Sequence, residues 1–312
     1  MKKILVIGSS NTDMIIYVSK IPAQGETVIG DNFMVAQGGK GANQAVAAAR
    51  AGGDVTFIAC LGKDDFANQA MHHYMNNKIN VENIIYDDCA PTGVACIFVA
   101  KDGENSIAVA SGANARLSPQ HILKKQSIVN QANILLLQLE IPLPTVAQAI
   151  DIAYHSNIPI VLNPAPAQCL PIELLQKITI LTPNQSEAEI LTGLTIVDTN
   201  SAQQAAKYLL DQGINNVIIT LGEKGALVAE KNKKIQLVPR YRVNAIDTTG
   251  AGDTFNGALS VAYSEGKSLV EAAQFANAAA ALSTTSHGAQ PSIPTRENIE
   301  SLWTSAGWSF SS

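Results

Sequence analysis

Four short apolar runs, Ile134 to Leu139, Ile158 to Leu162, Ile178 to Leu181 and Val217 to Leu221, recur through the middle of the chain between turn residues. Such continuous runs are the pattern of strands covered on both faces. Between them, Leu143 to His155, Glu187 to Leu191 and Ala202 to Gln212 carry helical patterns. Strand, helix, strand in that order predicts an α/β fold: a mostly parallel sheet sandwiched by helices. Two segments differ. Residues Asp13 to Val35 and Pro91 to Ala110 alternate apolar and polar positions with Pro, Gly and Thr breaks, and include the hairpin-like turn Lys101-Asp102-Gly103-Glu104. They are predicted as antiparallel strands outside the main sheet, inserted at about 13–35 and 91–110. With no repeat, low-complexity tract or linker, residues 1–312 read as a single α/β domain. The Ala-rich stretches Ala42 to Ala51 and Ala272 to Leu282 are predicted helices whose small side chains permit close packing.

Composition narrows the function. A 46% hydrophobic content fills a core for 312 residues, whereas 15% charged residues and a net charge of −5, with no Lys/Arg run, argue against nucleic acid or anionic lipid as partner. The apolar run after Met1-Lys2-Lys3 breaks at Gly8-Ser9-Ser10-Asn11, short of a signal sequence, and no stretch reaches the ~18 apolar residues of a membrane span. Cys60, Cys89, Cys96 and Cys169 form no C-x-x-C pair, which fits reduced thiols in the cytoplasm. His72, His73, His121, His155 and His287 show no metal-ligand spacing.

Four constellations carry candidate chemistry. Gly38-Gly39-Lys40-Gly41-Ala42-Asn43 opens the first Ala-rich helix, where bare backbone and unpaired N–H groups can meet a phosphate or a sugar; it is not a Walker loop, and a plain tight turn is an equal alternative. Asp247-Thr248-Thr249-Gly250-Ala251-Gly252-Asp253 precedes the apolar helix pattern that begins Thr254-Phe255. Small residues there expose N–H groups, the helix dipole attracts anions, and Asp253 either caps the helix or accepts a hydroxyl proton; the glycines flanking Ala251 favour the second. Glu140, and Asn184 with Glu187, follow strand ends, where open α/β sheets bind ligands. Asn184-Gln185-Ser186-Glu187 suits hydrated Mg2+, although alone it reads better as a helix cap. Thr220-Leu221-Gly222-Glu223-Lys224-Gly225 is either a hairpin turn or a nucleotide-lining turn.

Taken in order, these motifs resemble the ribokinase-type carbohydrate kinase family over the full length. The resemblance rests on Gly8 to Asp13, Gly38 to Ala45, Leu162 to Ala167, Thr182 to Glu189, Asp247 to Leu259 and Gly288 to Ser292. It implies a ribokinase-like α/β core with a small β-sheet lid that pairs with another subunit, hence a homodimer, and transfer of phosphate from ATP to O5 of D-ribose. By position it implies that Asn11, Asp13, Gly39, Lys40, Asn43 and Glu140 hold the sugar, that Asp253 is the base, and that Gly250, Ala251 and Gly252 form an anion hole. Asn184, Thr220, Leu221, Gly222, Glu223, Lys224, Gly225, Gly252 and Asn277 would line the ATP site, with Glu187 organising Mg2+. Oxygens of Asp247, Thr249, Ser283, Ser286, Gly288 and Ser292 would hold a monovalent cation, K+. Related kinases acting on a nucleoside, fructose or a deoxysugar would differ in lid residues such as Ala95, Ile97 and Ile107. An inactive sugar-binding scaffold is the alternative of another class. A nicotinamide dehydrogenase is disfavoured, because the first strand is not followed by G-x-G-x-x-G.

Overall fold

Alternate side chains of the first strand, Lys3–Ile7, enter two different cores: Ile4 and Val6 join one, Leu5 and Ile7 the other. Strands that bury both faces have no polar positions to spare, which is why they read as unbroken apolar runs. The computed structural model describes residues 1–102 and 104–305. Gly103 of the predicted turn and residues 306–312 lie outside the described residues.

The large sheet has eight strands in the spatial order Gln236–Val238, Ala226–Glu230, Asn216–Thr220, Ile180–Leu181, Ile160–Leu162, Ile134–Leu137, Lys3–Ile7 and Asp54–Ile58. Every neighbouring pair from Asn216–Thr220 to Asp54–Ile58 is parallel, and the two remaining pairs are antiparallel. Helices cover both faces. Lys40–Arg50, Ala251–Ser264 and Leu269–Ser283 pack on the side of Ile4 and Val6, and Leu143–His155 and Thr199–Asp211 on the side of Leu5 and Ile7. Among the described residues no helix is long and apolar enough to cross a membrane.

A second sheet has four strands in the order Asn32–Gly38, Asn11–Val18, Gly93–Ala100 and Asn105–Ala110. Each predicted segment forms an antiparallel pair, but the two pairs are joined by a parallel ladder between Asn11–Val18 and Gly93–Ala100. The register sets Asp13 beside Ala95, Ala95 opposite Val109, and Ile97 opposite Ile107, so these residues share one face. Phe33, Val35 and Cys96 belong to the opposite face and are exposed. A two-stranded parallel sheet, Cys60–Gly62 with Ile85–Asp87, was not anticipated from the sequence.

Candidate active site

The site forms where two helices cross closely at the carboxyl ends of the parallel strands. A Cβ placed on Gly257 would lie 2.5 Å from Ala47 Cβ and 2.7 Å from the Gln44 carbonyl, so only glycine lets the Ala251–Ser264 helix lie this close to Lys40–Arg50. That contact brings the first turns of both helices together. Asn43 Nδ2 donates to Asp253 Oδ2 and Gln44 Nε2 to Asp253 Oδ1, each at 2.9 Å.

Both helices begin without a side-chain cap, at Gly39 (φ 87°) and Gly250 (φ 74°). In the first, Glu140 takes the cap's place from across the sheet: its Oε2 accepts from Lys40 N at 2.9 Å and from Ser9 Oγ at 2.6 Å. In the second, Ala251 N donates to Thr248 O and Thr254 N to Gly250 O, leaving the Gly252 and Asp253 amides directed out of the helix start. The sequence motif pointed to Gly250 to Gly252; the amide of Asp253 itself joins that set.

Three carboxylates act on one half-buried lysine. Burial pushes the Lys40 amine down, but Asp253, Glu140 and Glu187 outweigh it and hold the ammonium above its ordinary range. Asp253 is 7% exposed, and burial raises its carboxyl, opposed by Lys40 and by hydrogen bonds from Asn43 and Gln44. Asp13 is pushed up to about 7 by burial, then by Glu140 and Asp253. Burial also raises Glu187, against the Asn184 amide and Lys40.

An open cavity of about 440 Å³ is walled by Asn11, Val109, Asn114 and Glu140. Asn114, which the motifs did not single out, fixes Asn11: its Nδ2 donates to Asn11 Oδ1 at 2.8 Å and to Ser10 O at 3.0 Å. A second, more apolar cavity of about 280 Å³ is lined by Thr220, Gly222, Glu223, Gly225, Gly252 and Asn277, which the resemblance assigns to the nucleotide, and by Ala251, which it assigns to the anion hole. Its remaining wall includes Phe255 and Thr284, and also Arg240, Tyr241, Val243 and Ala245, which were missed because the 240–245 segment bears no motif. Leu221 and Lys224 do not line it. The Thr220–Gly225 turn is at once a hairpin connection and a cavity wall.

Asn184 and Glu187 bond to each other. The Asn184 side chain accepts from Glu187 N at 2.8 Å, while Glu187 Oε2 accepts from Asn184 N at 2.8 Å and Oε1 from Asn184 Nδ2 at 3.0 Å. This is a closed capping box. A bridge between Asn184 and Thr220 nevertheless joins it to the cavity wall. Beyond the helix start, Asp247 accepts from Thr249 N at 2.9 Å and Gly288 N at 2.8 Å, and these donors hold its carboxyl below its ordinary range despite partial burial. Ser283 ends the Leu269–Ser283 helix, and its hydroxyl donates to Ala280 O at 2.9 Å.

Glu140 of the first cavity acts on Asp253, and Gly252 beside Asp253 lines the second cavity, an arrangement suited to moving an anionic group onto a hydroxyl. The model of the pfkB family carbohydrate kinases matches residues 1–296. Ribokinase of Haemophilus influenzae is 48% identical over 302 residues, covering 96% of this chain and 98% of its own. A deoxyribokinase of Salmonella typhimurium is 39% identical over 297 residues, 95% of this chain and 97% of its own. The structure of Arabidopsis thaliana ribokinase complexed with ribose and ATP superposes with a TM-score of 0.91 at 32% identity, covering 97% of this chain and 99% of that one. With a ribokinase-like fold and a family match over nearly its whole length, the chain belongs to the pfkB family of carbohydrate kinases.

Proposed function

We propose that this chain is an ATP-dependent ribokinase that phosphorylates D-ribose at O5, giving D-ribose 5-phosphate and ADP. The observation that carries this reading is Asp253, buried at an open helix start whose Gly252 lines one cavity, and coupled by charge to Glu140, which lines the other. Asn11, Asp13, Gly39, Lys40, Asn43 and Glu140 supply the donors and acceptors for the sugar hydroxyls. Asn184, the Thr220–Gly225 turn, Gly252 and Asn277 hold ATP. Asp253 accepts the O5 proton as O5 bonds to the γ-phosphorus and the bond to the β-phosphate oxygen breaks. Its raised affinity for protons suits that task. The Gly250 and Gly252 amides, with that of Asp253, donate to the transferring phosphoryl oxygens, while the Ala251 amide is held by Thr248 O.

Both oxygens of Glu187 are engaged, but each keeps a second lone pair, so the residue fits Mg2+ held through water. Bound Mg2+ would neutralise charge on the ATP phosphates. Asp247 with oxygens of Thr249, Ser283, Ser286, Gly288 and Ser292 is an all-oxygen donor set suited to K+, which would stiffen the loop before the anion hole. The four-stranded sheet, inserted in a single domain, serves as a lid over the sugar cavity, with Val109 already at its wall. Its outer face, with exposed Phe33 and Val35, is the surface for a homodimer. A cytoplasmic location fits a kinase drawing on cellular ATP.

Coupled ADP release tests this with Mg-ATP against ribose, deoxyribose, fructose and nucleosides, each with K+ and with Na+. Turnover highest on ribose and dependent on K+ is expected; no turnover on any acceptor would leave a silent scaffold. The deoxyribokinase relative favours a second reading, 2-deoxyribose, which a higher kcat/KM for that sugar would establish.

A further inference from the structure

Both oxygens of Asp253 are held by side-chain amides, and neither amide is free to turn over. Asn43 Nδ2 donates to Oδ2 while Asn43 Oδ1 accepts from Gln290 Nε2 at 2.9 Å. Gln44 Nε2 uses its two hydrogens on Asp253 Oδ1 and on Asn163 Oδ1, at 2.9 and 3.0 Å, while Gln44 Oε1 accepts from Gln138 Nε2 at 2.6 Å. Turning the Gln44 amide would set its oxygen against a carboxylate and against another amide oxygen. Gln44 and Gln138 are fully buried.

The hydrogen bonds continue from Asn163 back to the helix start. Asn163 Nδ2 donates to Thr182 O at 3.1 Å, Thr182 Oγ1 to Asn256 Oδ1 at 2.5 Å, and Asn256 Nδ2 to Gly252 O at 2.8 Å. The Gly252 carbonyl and the Asp253 N–H share one planar peptide unit. The circuit therefore leaves Asp253 at its carboxylate and returns at the peptide that carries its own amide. It also has a cost that a purely structural contact would avoid: Gln138 Oε1 and Gln290 Oε1 are buried without a hydrogen-bond partner, where apolar side chains of similar size would leave nothing unpaired.

We propose that Gln44 is a positioning residue for phosphoryl transfer, fixing the Asp253 carboxylate directly and, through Asn163, Thr182 and Asn256, the peptide whose N–H faces the transferring group. This rests on Asp253 being the base. It makes one side chain set both the direction of proton acceptance and the direction of an anion-hole donor.

The test compares Gln44→Met and Asn256→Leu with wild type, using the best pentose acceptor. For Gln44→Met, kcat is expected to fall by about 10- to 100-fold with KM for sugar and for Mg-ATP changed less than about threefold. The acid limb of its kcat–pH profile moves to higher pH, because the ionised Asp253 loses a donor. Asn256→Leu lowers kcat without moving that limb, since the carboxylate keeps both amides. A purely structural Gln44 would lower the melting temperature and leave kcat per folded enzyme and the pH profile as in wild type, and that result overturns the proposal. If Gln44→Met does not fold, Gln44→Glu keeps the shape and the acceptor for Gln138, and an acid limb unmoved in that variant overturns it equally. Wild-type enzyme without pentose turnover, or Asp253→Asn with normal kcat, overturns the underlying reading and this proposal with it.

Discussion

Three helix starts away from the site are closed by side chains, and the two that build the site have no cap of their own. Asp64 caps Asp65–Asn76, while Asp198 and Ser268 form capping boxes at Thr199–Asp211 and Leu269–Ser283. The Lys40–Arg50 and Ala251–Ser264 helices start instead at glycines with positive φ and no side-chain cap. A cap contributes about 1 kcal/mol, so two helix starts have forgone that stability where amides must face a ligand. The same contrast holds for charge. Carboxylates far from the site pair at the surface, as Glu265 does with Arg296, whereas Asp253, Glu140 and Glu187 act on a single lysine and Asp13 is crowded by Glu140 and Asp253. Openness and unbalanced charge mark the working end of the sheet.

The largest break in this contrast comes from Asp253→Asn, which keeps the shape of the first turn and removes the proton acceptor. We expect kcat to fall by about 10²- to 10⁴-fold in an ADP-release assay, with ATP affinity by calorimetry little changed. Retained turnover would reduce Asp253 to a dipole-favoured acid in the first turn.

Asp13→Asn tests the crowding of carboxylates. Asp13 is raised from 3.8 to about 7, so between those pH values the folded chain holds a proton that the unfolded chain releases. The wild-type penalty is absent below pH 3.8, grows across that window and is complete above about 7, on the order of a few kcal/mol. The Asn variant should therefore be more stable than wild type at pH 8 and lose that advantage toward pH 4 in urea titrations. Its KM for the sugar should rise by about 10- to 100-fold, as for loss of a charged hydrogen bond. A pH-independent stability difference would show that Asp13 is already paired.

Gly252→Ala sharpens the comparison at the helix start. A Cβ there meets nothing within 4 Å, so the fold accepts it, and alanine adds up to about 1 kcal/mol of helix propensity. The methyl would project beside the cavity that Gly252 lines, and kcat/KM for ATP should drop by roughly tenfold while the melting temperature holds or rises. Unchanged kinetics would mean that this amide does not face the nucleotide.

What the sequence disclosed follows the range of each signal. Buried runs such as Ile134–Leu137 identify strands because both faces are covered locally, yet the pairing of Asn11–Val18 with Gly93–Ala100 depends on segments far apart, on which local alternation is silent. In the site, Asp253 and Asn43 stood out because glycines mark their turns. Gln44, Asn163 and Gln290 lay within the quoted motifs without a role, since each acts only through a partner supplied by another element. Asn114 and Tyr241 had no motif at all. Their placement comes from how the chain folds over the cavities.

Glu187 stands on the boundary of the contrast, being both a closed cap and a neighbour of the charged cluster. Glutamine serves a capping box as well as glutamate, so Glu187→Gln should leave stability within about 0.5 kcal/mol. If Glu187 only caps, kinetics stay as they are. If its charge also reaches the nucleotide's metal through water, saturating activity should require several-fold more Mg2+, and kcat at saturation should fall by no more than about tenfold. The charge is positioned for this, since Glu187 acts on Lys40 and is itself raised by Asp253. A Mg2+ titration of ADP release in the two proteins decides it, because removing one charge from an intact cap changes the electrostatics and leaves the helix start closed.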